Sequence, residues 1–268
     1  MLLDIPRVMG ILNVTPDSFQ SAGRCQSEKE IIRRIEEIEE QGADIIDIGG
    51  CSTRPGSIPP SAEDEWQRVE NALKCHRLSG SRLPVSIDTF RAEIARRAVE
   101  KYGVAIINDV SGGNLDPEMW TTVAGLHVPY VLTHMRGTPA TMQQHVNYSD
   151  VTAEVITELS WKSYELHKMG VCDVIIDPGF GFAKTLGQNF RLLDELQEIV
   201  DMGMPVLVGL SRKSMVTKTL GCTPEEALGG TIALNTVALM KGAAILRVHD
   251  VREAVETVKM VRQLKLTE

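Results

Sequence analysis

A chain of 268 residues with 43% hydrophobic and 24% charged content excludes wholesale disorder. At this length it can bury roughly three quarters of its unfolded surface in a sizeable core. The formal charge of −8 argues against a general nucleic-acid binder and leaves room for a local basic pocket around a small anion. Five cysteines, at positions 25, 51, 75, 172 and 222, form no C-x-x-C pair and leave one over. That is the pattern of reduced cytosolic thiols, not of a disulfide framework or a zinc site.

The N-terminal stretch M-L-L-D-I-P-R-V-M-G is interrupted by Asp4, Pro6 and Arg7 before any apolar run becomes long. It reads as neither a secretory signal nor a membrane span, and the expectation is a cytoplasmic protein. One pattern then repeats along the chain: a short apolar strand, a polar or glycine-rich turn, and a segment of helical periodicity. Strands are expected at 8–13, 44–48, 84–88, 105–110, 130–134, 174–177, 205–210 and 245–248, each nearly continuous in Val, Ile and Leu, as parallel strands covered on both faces are. Helix starts carry recognisable signals. Ser27 with Glu30 makes a capping box ahead of Ile31, Ile32, Ile35 and Ile38, and Asp116-Pro117 places a proline at a first helical position.

Eight strands each followed by a helix within about 250 residues is the length and order of a single (β/α)8 TIM barrel spanning residues 1–268. An open doubly wound sheet is the alternative, disfavoured by eight parallel strands without a break. The segment 135–148 is a long polar loop after the fifth strand, and long βα loops are usually functional.

In such a barrel the chemistry gathers at the C-terminal ends of the strands. Those ends read Asn13; Gly49-Gly50 with Thr53 and Arg54; Asp88; Asn108-Asp109; His134; Asp177; Ser211 with Lys213; and Arg247 with His249. Polar residues mark where many strands stop, and that explains any one of these, Asp109 and His134 especially. It explains poorly why acids, amides and bases converge on one mouth. Asp88 and Asp177 are candidates for helix N-caps, although Pro178 and the G-F-G-F that follow Asp177 make a poor helix opening. His76 and His167 fall on helical faces and read as structural. The Gly179-Phe-Gly-Phe stretch has the wrong spacing for a dinucleotide fingerprint, Ser211 lies outside any G-x-S-x-G, and no H-E-x-x-H or cysteine cluster points to a protein-bound transition metal.

Two carboxylates and an amide match a flat heterocycle presenting adjacent N–H donors and an acceptor. Lys213, Arg54, Arg247 and His249 suit phosphate groups or an electron-rich ring face. With aromatic content at 4%, a planar ligand has Phe19, Phe182 and arginine to stack on. Residue types and spacing therefore describe a barrel enzyme for a small, polar, phosphorylated heterocycle.

Four stretches carry a more specific likeness: M-G-I-L-N-V-T-P-D-S-F (9–19), G-A-D-I-I-D-I-G-G-C-S-T-R-P-G (42–56), I-I-D-P-G-F-G-F-A-K (175–184) and G-L-S-R-K-S (209–214), with S-I-D-T (86–89), I-N-D-V-S-G (107–112), H-M-R-G-T-P-A-T-M-Q (134–143) and L-R-V-H-D-V (246–251) in support. Together, in order along the chain, they resemble the dihydropteroate synthase family of the folate pathway, the target of sulfonamides. The resemblance implies a (β/α)8 barrel, Mg²⁺, a homodimer, and condensation of 6-hydroxymethyl-7,8-dihydropterin pyrophosphate with p-aminobenzoate through a dihydropterin cation. It also implies roles. Asp88, Asn108, Asp177 and Lys213 would hold the pterin edge with Arg247 stacking on the ring, and Lys213, Asp88, Asp177 and Arg247 would be the catalytic set. Thr53, Arg54, Arg247 and His249 would hold pyrophosphate, Asn13 would reach the Mg²⁺, and Phe19, Pro55, Phe182, Ser211 and Lys213 would line the p-aminobenzoate pocket. Two positions depart from the family pattern. Ser21 stands where an aspartate is usual, and Cys51 where glutamate often precedes S-T-R-P-G. Two other classes remain in view: a methyltetrahydrofolate–corrinoid methyltransferase barrel, which does not need S-T-R-P-G and S-R-K together, and a catalytically silent pterin-binding paralogue, to which Ser21 points.

Overall fold

The computed structural model describes residues 5–15, 28–52, 57 and 59–265. Eight parallel strands form the sheet: β1 Arg7–Asn13, β2 Ile45–Gly49, β3 Val85–Asp88, β4 Ile106–Asp109, β5 Tyr130–Thr133, β6 Val174–Asp177, β7 Leu207–Val208 and β8 Ile245–Val248. They lie in the order β6-β5-β4-β3-β2-β1-β8-β7. A parallel bridge between Ile176 and Val206, with Ile176 N–H donating to Pro205 O at 2.8 Å, joins the two ends. The ring is closed, so this is the (β/α)8 barrel and not the open sheet. Closure is thinnest at β7, which keeps two laddered residues where the apolar run 205–210 led to the expectation of six. Gly209 and the turn that follows end its pairing early.

The helices are α1 Glu28–Glu40, α2 Ala62–Ser79, α3 Ala92–Tyr102, α4 Met119–Leu126, α5 Val151–Lys168, α6 Leu186–Asp194, α7 Leu196–Val200, α8 Ser214–Leu220, α9 Leu228–Met240 and α10 Val251–Lys265. In α1 three of the four expected isoleucines, Ile31, Ile35 and Ile38, are buried, and Ile32 is partly buried against the same core. Ser27, the other half of the capping box, lies outside the described residues. The expected start of α4 needs correction. Asp116 and Pro117 form a turn one step earlier: Asp116 accepts from Glu118 N–H at 2.9 Å with one oxygen and from Ala92 N–H at 2.8 Å with the other. The aspartate thus caps the first turn of α3, a helix distant in sequence, as well as shaping its own.

Strand side chains divide by the period-two rule. Val8, Ile46, Ile87, Ile107, Leu132, Ile176, Val208 and Leu246 point outward into the layer between sheet and helices. Met9, Ile45, Ile106, Val131, Ile175, Leu207 and Ile245 point inward and fill the barrel with one apolar plug. Each such buried side chain contributes about 1.5–3 kcal/mol. The plug makes the barrel a solid floor, and the next inward position on each strand forms the layer above it.

Candidate active site

That upper layer changes character. Two residues beyond Ile45 stands Asp47; beyond Ser86, Asp88; beyond Ile106, Asn108; beyond Val131, Thr133; beyond Ile175, Asp177; beyond Ile245, Arg247. Arg247 links two of the acids. Its Nε donates to Asp47 Oδ2 at 2.6 Å and its Nη2 to Asp88 Oδ2 at 2.7 Å. Asn108 Nδ2 also donates to Asp47 Oδ2, at 3.3 Å. Asp47 is fully buried, and its second oxygen has no hydrogen-bond partner. Burial lifts Asp88 to about 7, against the pull of Arg247 and with the help of Asp47's charge. The attraction of Asp47 and Asp88 outweighs desolvation at Arg247 and holds its guanidinium firmly protonated.

Across the mouth, Asp177 Oδ1 accepts from Gly179 N–H at 2.8 Å. Asp177 is therefore the pivot of a loop and not a helix cap, since α6 begins only at Leu186 under a Thr185–Gln188 capping box. Gly179 has φ +73°, and a Cβ there would fall 2.0 Å from His134 O, so no other residue fits this turn. Burial raises the Asp177 carboxyl above the usual range, opposed chiefly by the charge of Lys213. Lys213 Nζ donates to Phe180 O and lies 4.4 Å from the centre of the Phe182 ring. Burial lowers Lys213 to about 8, with Asp177 opposing. The S-R-K-S turn opens α8, with Lys213 at the cap position and Arg212 in the left-handed region at φ 56°. Arg212 is held there by Asp250 at 2.5 and 3.0 Å.

Ser211 and His249 meet. Ser211 Oγ accepts from the His249 backbone N–H at 3.2 Å and lies 3.1 Å from His249 Nδ1. In this geometry the hydroxyl can donate to Nδ1, which would leave the ring proton on Nε2. Burial and the charge of Arg247 push His249 down to about 4, so its ring is neutral near pH 7. Asn13 ends β1 beside the same rim: a side chain at Gly49 would come 3.1 Å from Asn13 Oδ1 and 3.7 Å from Asp88 Oδ2. The loop 135–148 covers the β5–β6 side. Met142 and Met135 pack with Ala183 and Phe182, and Gln188 Nε2 donates to Val146 O at 2.8 Å.

Of the residues expected at the site, Asn13, Asp88, Asn108, Asp177, Phe182, Ser211, Lys213, Arg247 and His249 stand around this one mouth. Phe19, Thr53, Arg54 and Pro55 lie outside the described residues, as does Ser21. Cys51 is described: burial and the charge of Glu65 push its thiol up to about 12, so it stays protonated. Asp109 belongs elsewhere. It points outward and accepts from Ser111 N–H and Oγ, Gly113 N–H and the Tyr130 hydroxyl, all at 2.7–2.8 Å.

A family model described as "Pterin binding enzyme" matches residues 9–249. Dihydropteroate synthase of Escherichia coli (strain K12) is 40% identical over 261 residues, 97% of this chain and 92% of that protein. The chain belongs to the dihydropteroate synthase family of pterin-binding enzymes. The synthase of Synechocystis sp. is 41% identical over 260 residues, 96% of this chain and 89% of that one. Among solved structures, the Yersinia pestis synthase with a sulfonamide drug complex superposes with a TM-score of 0.93 at 35% identity, covering 99% of this chain and 96% of that chain. The Thermus thermophilus synthase in complex with 4-aminobenzoate gives 0.87 at 39% identity, covering 98% and 96%.

Asp47 is the functional-site residue that sequence reading passed over. A signal was present: in D-I-I-D-I-G it is the one acid at an inward position of an otherwise isoleucine strand. Lys184, the last residue of G-F-G-F-A-K, was likewise left without a role.

Proposed function

We propose that this chain is a dihydropteroate synthase, condensing 6-hydroxymethyl-7,8-dihydropterin pyrophosphate with p-aminobenzoate to give 7,8-dihydropteroate and pyrophosphate in folate biosynthesis. The observation that carries the reading is the inward rim: Asp47, Asp88 and Asp177 with Asn108, set against Arg247 and Lys213, above an apolar floor. In the reaction the bond from the pterin methylene carbon to the pyrophosphate oxygen breaks, the aniline nitrogen bonds to that carbon, and the nitrogen gives up a proton. If the carbon–oxygen bond breaks first, a cation spreads over the dihydropterin. Three rim carboxylates facing two cations are suited to such a charge, and no protein nucleophile is required.

Asp177, accepting from Gly179 with one oxygen, keeps the other for the pterin's N–H donors. Asn108 and Lys213 supply an amide and an ammonium to the same edge. Arg247, fixed along its edge by two carboxylates, presents a rigid guanidinium to the ring and to the leaving group. His249 donates from Nε2 to a pyrophosphate oxygen, joined in this reading by Thr53 and Arg54. Phe182, Ser211 and Lys213, with Phe19 and Pro55, line the p-aminobenzoate pocket.

The donors fit Mg²⁺ delivered with the substrate. No group of three or more His, Cys, Asp or Glu is arranged to hold a metal among the described residues. The hard amide oxygen of Asn13 borders the gap that glycine leaves at position 49. One protein oxygen plus diphosphate oxygens is an ordinary Mg²⁺ environment. When bound, the ion would offset the charge of the departing pyrophosphate. A cytoplasmic homodimer belongs to the same reading, on the likeness to the family; among the described residues no helix is long and apolar enough to cross a membrane. The test is product formation by purified protein from both substrates with and without Mg²⁺. No dihydropteroate in either condition would refute catalysis and favour the silent paralogue to which Ser21 points.

A further inference from the structure

Lys184 closes the G-F-G-F-A-K stretch and has no part in the scheme above. Its side chain is 3% exposed. Its ammonium has three donors and three acceptors: Gly179 O at 3.0 Å, Phe182 O at 3.1 Å and His134 Nδ1 at 3.0 Å. None of these is a carboxylate. Burial without an ion in contact is costly for an ammonium and lowers Lys184 to about 7, with Asp177 opposing, and a methionine of similar length would fill the space without that cost. What only the ammonium supplies is a three-way tie between the loop and the end of β5.

The tied loop carries the site. Gly179 N–H holds Asp177, Phe180 O holds Lys213, and the Phe182 ring lies against Lys213. Gly181, at φ +83°, brings its backbone so near that a Cβ would stand 3.1 Å from Lys213 Cδ. We propose that Lys184 is a positioning residue for both substrate pockets, holding the 177–184 loop in the shape that aims Asp177, Lys213 and Phe182. The assignment rests on the synthase reading.

His134 completes the tie. Accepting from Lys184 at Nδ1, it carries its proton on Nε2, which faces Glu158 Oε2 at 3.3 Å. Glu158 is held in turn by Lys162 at 3.0 Å, and Lys162 reaches Asn114 Oδ1 at 3.0 Å. Burial and the charge of Lys184 push His134 down to about 4, which keeps it a neutral acceptor. Through His134 the loop abuts Glu158 of α5, which Lys162 links to the turn after β4.

The experiment compares Lys184→Met with the unaltered chain in steady-state kinetics for both substrates, in calorimetric titration of 6-hydroxymethylpterin, and in thermal melting. A misaimed loop is expected to raise KM for p-aminobenzoate and Kd for the pterin by about tenfold or more. Lys184→Gln, a neutral donor, is expected to fall between, and it carries the same comparison if the methionine variant does not fold. A lysine needed only for stability gives another signature: fewer folded molecules, so a lower apparent kcat and a lower Tm, with KM and Kd unchanged. That signature, or full activity, overturns the proposal. Failure of the unaltered chain to bind the pterin overturns the synthase reading instead, a result distinct from equal binding by both proteins.

Discussion

Replacing Asp177 with asparagine changes one atom's chemistry and almost no volume. Oδ1 keeps its acceptor role toward Gly179 N–H, now at 2.8 Å, so the loop retains its pivot. The change falls on the other position, where a carboxylate oxygen that can meet pterin N–H donors becomes an NH2 group. Two donors then face each other in a buried pocket, at a cost of about 1–3 kcal/mol. That corresponds to a loss of roughly 5- to 150-fold in pterin affinity. Folding is expected to be spared. Burial raises the Asp177 carboxyl, so its contribution to stability is full below the unfolded pKa and declines as pH rises through the folded value. Near neutral pH the ionised form is the costly one, and an amide removes that cost. Calorimetry with dihydropterin pyrophosphate, alongside melting at pH 7, separates the two effects. Unchanged pterin affinity in a folded variant would refute the role given to Asp177, and a large drop in Tm would refute the argument about its charge.

Other expectations concern different parts of the barrel. Asp47→Asn removes a negative neighbour that helps hold Asp88 up at about 7, so the Asp88 pKa falls and any acid limb of the pH–rate profile set by Asp88 moves to lower pH; a profile displaced upward contradicts this. Asp109→Asn unsettles an outward-facing carboxylate that accepts four hydrogen bonds, lowering stability by about 2–4 kcal/mol in denaturant titration with little change in KM; a raised KM at unchanged stability would show that Asp109 serves the site. p-Aminobenzoate is expected to bind tightly only with Mg²⁺ and pyrophosphate present, because Asn13, Thr53 and Arg54 would attach the segments that carry Phe19 and Pro55 to that anion. Titration with and without Mg²⁺-pyrophosphate, repeated on Arg54→Ala, tests this, and equal affinity in both conditions would show a pocket formed beforehand.

The alternation of apolar strands with helical stretches, and the polar residue ending nearly every strand, were legible in the sequence because both are local: a strand shows its period and its stop within a few residues. The family motifs were legible for the same reason. What each strand end does was not. Asn108 and Asp109 are neighbours of similar chemistry, yet the pleat sends the first into the mouth and the second out to Ser111 and Tyr130. Arg247 finds Asp47 across 200 residues of sequence, and Asp88 across 159, because closing the ring lays β8 beside β1 and turns three inward positions toward one another. Lys184 reads as the polar end of a glycine-rich stretch, and it becomes a buried post only where the end of β5 and the loop after β6 fold around it. A strand's pattern is written in nearest neighbours along the chain. Which charge meets which is decided by barrel closure, where strands from both ends of the sequence share one small space.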